Sequence, residues 1–149
     1  MRALCVGEPQ PEAIGRSKGG LSTKIHATVD ALGNPLSFHL TPGQACDLDG
    51  ADKLLPDLVA DTLLADKAYD AHKRVIELLE SQGKTAVIPP KRNRSILRDY
   101  DKDLYKARHL IENFFAKLKQ YRAIATRYDK RATNFLGAIY LAASVIWLN

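Results

Sequence analysis

Cysteine is scarce in this chain. Its two cysteines, Cys5 and Cys46, stand far apart and in no ligand-like spacing. A disulfide framework and a structural zinc site are thereby excluded. Long hydrophobic runs are missing too. The apolar stretch FLGAIYLAASVIWLN has 15 residues, short of the roughly 20 that a bilayer-spanning helix needs. That length suits a core helix. Residues 1–12 carry Arg2 and a brief apolar patch, but not the pattern of a secretory signal. No glycine-rich loop of the P-loop or dinucleotide type occurs, so nucleotide binding finds no support. Repeats, low-complexity tracts and internal linkers are absent. These absences point to a cytoplasmic protein without a membrane partner.

What is present is ordinary in amount and uneven in distribution. The chain has 149 residues, 46% apolar and 26% charged, which is one domain with enough apolar material for a core. Its net charge is +5. Between Lys91 and Arg131 stand 13 Lys/Arg against 5 Asp/Glu, a local +8 that leaves the remainder at −3. Such asymmetry points to a polyanionic partner, with a solvated basic surface as the plainer reading.

Residues 1–12 show no periodicity and read as an irregular lead-in to a domain over 13–149. IGRSKGG is a basic, glycine-rich turn. Lys24 to Asp30 alternates, with Ile25, Ala27 and Val29 on one face and Lys24, His26 and Thr28 on the other, which predicts a strand. ALGN makes a turn, and Leu36 to Thr41 returns as the second strand of a hairpin. Asp30 reads as a turn residue. His26 and His39 then face each other as an exposed cross-strand pair. A short helix from Asp47 or Asp49 runs towards Leu58, disturbed by Pro56. Thr62 to Ala65 reads as a buried strand, followed by Asp66. Asp70 reads as the N-cap of the helix AHKRVIELLESQ, which Gly83 ends. Thr85 to Ile88 is a last strand, stopped by Pro89 and Pro90. Lys91 to Asp101 is a basic loop. Helices over Lys102 to Tyr121 and Thr133 to Leu148 complete a mixed α/β layered domain. Trp147 and the run before it are expected in the core.

The segment YKARHLIENFFAKLK carries the sharpest signal. At about 100° per residue, Tyr105, Arg108, Glu112 and Lys119 share an arc of roughly 60°. Leu104, Ala107, Leu110, Ile111, Phe114, Phe115, Leu118 and Tyr121 fall on the opposite side. One helix therefore offers a carboxylate flanked by cations while packing its other face into a core. An i,i+4 ion pair between Arg108 and Glu112 is the plainer reading, but it leaves Tyr105 and Lys119 unexplained. Asp66 sits where a strand runs into a loop, a common place for functional groups and equally for turn-forming aspartates. If Asp66 and Glu112 meet, they form an oxygen site for Mg²⁺ or Mn²⁺, with Arg108 and Lys119 placed for phosphates. Tyr105 either positions a phosphate or packs the helix end. Lys67 either touches phosphate or is solvated. Lys91, Arg92, Arg94 and Arg98 either contact a DNA backbone or form a mobile solvent loop. His109 lies on the polar flank of the same helix.

The spacing Tyr105-x2-Arg108-x3-Glu112-x6-Lys119 resembles the Y-(2)-R-(3)-E-(6)-K signature of bacterial insertion-sequence transposases of the DDE type. LLADKAYD is similar to the family's segment bearing its second Asp. GRSKGGLSTKIHATVD, LTPGQACD and IATRYDKRATNFLGAIYLAASVIWLN resemble further family text, in the same order, from about Ala13 onward. The resemblance implies a ribonuclease H-like mixed sheet with flanking helices. It implies Mg²⁺-dependent cleavage and transfer of double-stranded DNA at element ends, a nucleoid-associated location and a homo-oligomer when complete. Carried over, Asp66 matches the second carboxylate and Glu112 the third, both catalytic and metal-holding. Tyr105, Arg108 and Lys119 match the remaining signature positions, and Lys67, Lys91, Arg92 and Arg94 are the further DNA contacts expected. The family's first Asp lies on a strand upstream of the GRSKGG block, and residues 1–12 contain no Asp. The first strand is thus expected to be missing or incomplete, with the first Asp supplied by an upstream-frame portion. Two alternatives are a nuclease that cuts without joining and an inactive DNA-binding remnant that inhibits the full-length enzyme.

Overall fold

The computed structural model describes residues 12–149, so Cys5 and most of the lead-in lie outside the described residues. The chain is mixed α/β. It begins with β1 (Gly15–Ser17), β2 (Gly20–Val29) and β3 (Pro35–Pro42), which form an antiparallel sheet in the order β1-β2-β3. The β2–β3 register sets His26 opposite His39, as the alternation requires. Asp30 is indeed a turn residue. One of its oxygens accepts from the amides of Leu32 and Asn34 at 2.8 and 2.9 Å, and the other from the Asn34 side chain at 3.0 Å. Gly33 takes the left-handed backbone this turn needs, with φ 88°.

Next come α1 (Asp47–Leu54) and β4 (Thr62–Leu64), then a 3₁₀ turn over Lys67–Tyr69. A wide π turn over His72–Ile76 leads into α2 (Glu77–Ser81). β5 (Thr85–Val87) then pairs with β4 in parallel, forming a separate two-stranded sheet. α3 (Lys102–Tyr105), a 3₁₀ turn over Lys106–Arg108 and α4 (His109–Leu118) follow. α5 (Arg122–Ala125) and α6 (Ala132–Leu148) complete the described chain. Pro56 explains why α1 stops short of Leu58. Gly83, at φ 69°, ends α2 as anticipated. The expected Lys102-to-Tyr121 helix is tightened at Lys106–Arg108 and stops at Leu118. Tyr121 turns extended there, with ψ 99°.

The two faces of the β2–β3 hairpin are covered differently. Ile25, Ala27, Val29 and Phe38 pack against Phe114 and Leu118 of α4 and against Phe135, Ile139, Ala142 and Ala143 of α6. α1 lies against the other face, and a Cβ added at Gly50 would stand 2.3 Å from the His26 ring. His26 is consequently buried at 5% exposure, not exposed as the strand pattern implied. Its Nε2 is 2.8 Å from Thr41 Oγ1. A second core joins α1, the π turn, α2 and the strand after it through Ala51, Leu55, Val75, Ile76, Leu79 and Ile88. Trp147 is 55% exposed, also against expectation, because α6 buries one stripe only and Trp147 faces away from it.

Arg127 ties the chain's two extremes. It has φ 49°, unusual for a residue with a Cβ. Its Nε donates to the Asp129 carbonyl, its Nη1 to the Ala13 carbonyl and Thr23 Oγ1, and its Nη2 to the carbonyls of Glu12 and Lys130. The guanidinium lies 4.8 Å from the centre of the Phe135 ring.

Phe114 sits at the meeting of α4, α6 and the hairpin, 2% exposed. Phe114→Ala should cost about 3–5 kcal/mol. A lowered urea midpoint with an unchanged m-value will show it.

Candidate active site

β4 runs from Thr62 to Leu64 and delivers Asp66 at its carboxyl end. Asp66 caps the following 3₁₀ turn, its Oδ1 accepting from the Ala68 amide at 2.9 Å. That leaves Oδ2 free to face outward, and it lies 3.8 Å from Arg108 Nη1. On α4, Glu112 Oε1 accepts from Arg108 Nη2 at 2.5 Å. The two carboxylates therefore close on the two ends of one guanidinium. Tyr105 lies beneath it, its ring centre 5.6 Å from the guanidinium carbon. The Tyr105 ring is braced edge-on by Tyr100. Partial burial raises the Tyr105 hydroxyl pKa above the usual tyrosine value, and the nearby Asp66 charge adds to this against the opposing pull of Arg108. Four of the residues singled out in the sequence thus stand together: Asp66, Tyr105, Arg108 and Glu112.

The other candidates differ in what they touch. Lys119 is exposed at the end of α4, two turns beyond Glu112. Lys67 is exposed beside Asp66, and Arg92 is exposed on the loop after β5. Lys67, Lys91, Arg92 and Lys119 form no ion pair among the described residues. Arg94 differs. Its Nε donates to Asp70 Oδ2 at 2.9 Å and its Nη2 to the Asp70 carbonyl at 2.6 Å, so its guanidinium is engaged by Asp70. Arg98 joins it, 3.6 Å from Asp70 Oδ1 and donating to the Ile88 carbonyl at 2.8 Å. His109 is turned back onto its own helix, with Nδ1 2.8 Å from the Lys106 carbonyl.

Asp70, like His26 and Trp147, departs from the sequence reading. It is 3% exposed and does not cap the helix after it; Ala71 occupies that position. Its carboxylate instead accepts from the Lys91 amide at 2.8 Å and from Arg94. A buried charge needs such partners. The consequence is a basic loop over residues 91–98 tied to the backbone just beyond Asp66. The available signal was an aspartate with two arginines downstream, which no local pattern singles out; among the described residues it is the one buried carboxylate.

Burial pushes the Asp70 carboxyl upward, but the Lys91 amide, the Arg94 hydrogen bond and the charges of Arg94 and Arg98 outweigh it. They leave it below the usual carboxylate value of 3.8. A carboxylate lowered in the folded state contributes stability above its unfolded pKa and loses it as pH falls through the folded value. Asp70→Asn should therefore cost about 1–3 kcal/mol near neutrality. The gap between variant and parent should narrow below about pH 4. Urea midpoints measured from pH 7 down to pH 3 will test the sign.

Residues 8–147 match the family described as "Transposase DDE domain". The protein named "Putative transposase for insertion sequence element IS6501", from Brucella ovis, is 43% identical over 129 residues, which cover 86% of this chain and 99% of that protein. No solved structure matches the chain. Among the described residues, no helix is long and apolar enough to cross a membrane. With a family match across nearly its whole length and a relative of this identity, the chain belongs to the DDE transposase domain family of insertion sequences.

Proposed function

We propose that this chain forms the C-terminal part of a ribonuclease H-like catalytic domain that cleaves and joins double-stranded DNA at the ends of an insertion element. The observation that carries this reading is the convergence of Asp66 and Glu112, remote in sequence, on a single cation, the Arg108 guanidinium. A spot where two carboxylates already surround one positive charge fits the oxygen-donor chemistry of Mg²⁺ or Mn²⁺. Among the described residues no third His, Cys, Asp or Glu joins the two, so the described residues supply two ligands of such a site. The family's first carboxylate is assigned to an upstream-frame portion of the enzyme.

In this reading Asp66 and Glu112 hold the metal, which when bound supplies charge stabilisation for the attacking and leaving oxygens of a phosphodiester. Arg108 offers a planar fork to a non-bridging phosphate oxygen pair. Tyr105 supports the guanidinium from below and limits its swing. Lys119, Lys67, Lys91 and Arg92 lie outward and neutralise flanking phosphates, which position the duplex without reading its sequence. Two catalytic centres, one for each element end, require a homo-oligomer of the complete enzyme. One observation favours a second reading, an inactive DNA-binding remnant that inhibits the full-length enzyme: only two carboxylates converge at the site among the described residues.

Glu112→Gln in the chain joined to its upstream-frame product should abolish strand cleavage, by at least about three orders of magnitude, while duplex binding survives. Retained cleavage would end the assignment of Glu112. A joined parent that binds DNA but never cuts it, with Mg²⁺ or Mn²⁺ present, would select the remnant reading.

The loop geometry separates two arginines. Arg92→Ala should weaken duplex binding and reduce the slope of log K against log[salt] by about one. Arg94→Ala should leave that slope unchanged and lower the thermal midpoint. Salt titrations by fluorescence anisotropy, beside thermal melts, distinguish them.

A further inference from the structure

Arg108 does more than complete a helix-face pair. A pair at i,i+4 needs only Glu112. Here the same guanidinium also reaches Asp66, which belongs to a different element and precedes it by the length of β5, α2 and the basic loop. Its side chain is 26% exposed, so it sits in a partly closed setting between the carboxylates. A unit positive charge held there repels any dication that approaches the same oxygens. The two cannot share the site at full strength.

The contacts that hold Arg108 are of a kind that can be exchanged. Asp66 is 45% and Glu112 57% exposed at the side chain, and ion pairs of such groups are individually weak. A phosphate presents the same fork-shaped pair of acceptor oxygens with a full charge. The Tyr105 ring lies 5.6 Å from the guanidinium carbon, a contact that does not depend on either carboxylate.

We propose that Arg108 is an exchangeable internal cation that couples DNA binding to metal binding. In the DNA-free chain it bridges Asp66 and Glu112 and weakens divalent-metal binding there. A DNA phosphate draws the guanidinium off the carboxylates and so opens them to the metal. Because coupling is reciprocal, metal tightens DNA by the factor by which DNA tightens metal. This rests on the reading of Asp66 and Glu112 as metal ligands. The gain for the enzyme is order: the metal is held firmly only once a phosphate is in place.

The test is Mn²⁺ binding by the 149-residue chain, read from the EPR signal of free Mn²⁺, first without DNA and then with a short random-sequence duplex. Without DNA, Arg108→Gln should bind Mn²⁺ at least about tenfold more tightly than the parent, the effect of removing one nearby charge from a dication site. Arg108→Lys, which keeps the positive charge but loses the planar fork, should tighten it by less. Adding the duplex should raise Mn²⁺ affinity in the parent several-fold and in Arg108→Gln by a smaller factor. Circular dichroism checks that each variant is folded, and Arg108→Lys carries the test if Arg108→Gln is not. Equal or weaker Mn²⁺ binding by the folded variants, or none at all, overturns the proposal. Asp66→Asn and Glu112→Gln separate the two levels. If they lose Mn²⁺ while the Arg108 variants match the parent, only the role of Arg108 falls. If they bind Mn²⁺ as the parent does, the metal-site reading itself falls.

Discussion

Asp70 is a charged group in a place where charge is expensive, and the way its cost is met organises the site half of the molecule. Its carboxylate and carbonyl take up the Lys91 amide and the Arg94 guanidinium, and Arg98 closes over them. That fastens the segment leaving β5 to the segment leaving β4. The chain runs from that fastened loop into α3 and α4, so the fastening also sets where α4 begins relative to Asp66. Without a bound loop there, nothing in the parallel β4–β5 pair would hold Arg108 and Glu112 opposite the strand end.

α4 serves two masters on two faces. Phe114 and Leu118 insert between the hairpin and α6, and this contact fixes the rotation of the helix about its axis. Once that rotation is fixed, Glu112 and Arg108 have no choice but to face away from the core, towards Asp66. The site is therefore oriented by apolar packing and closed by electrostatics. The second core does the equivalent for β4, with Val75, Ile76 and Leu79 backing the strand pair. Between the two cores, His26 approaches Tyr69, with Nδ1 3.4 Å from the hydroxyl. Burial lowers the His26 pKa and pushes the Tyr69 hydroxyl up to about 12, which keeps both neutral at this junction.

Much of this could be read in the residues. Period-two alternation gave the hairpin faces and the register of His26 with His39, because side chains on a strand have only two directions to take. The 100° wheel placed Tyr105, Arg108 and Glu112 together, because a helix has one geometry. What remained hidden depends on which element covers which face. The alternation could not say that α1 would bring Gly50 onto His26, so burial of that histidine was out of reach. Asp70 precedes a helical pattern, and an N-cap is the local reading of such an aspartate; the partner that claims it arrives only through the β4–β5 pairing. Arg94 and Arg98 share the composition of a DNA-facing loop, and only the fold reveals that the buried Asp70 carboxylate engages them. Trp147 follows from a one-sided stripe on a helix whose residues are apolar all round, a case in which periodicity carries no information.

Arg127 shows how a single side chain can make its position nearly irreplaceable. All five of its N–H donors are spoken for, by acceptors on both sides of the hairpin entrance and on the turn before α6. A glycine would relax the backbone there yet abandon every acceptor. A lysine would keep the charge yet serve three of them at most. The left-handed turn and the guanidinium thus form one unit, and the Glu12 carboxylate, which accepts from the Ala132 amide, adds a second stitch to the same seam.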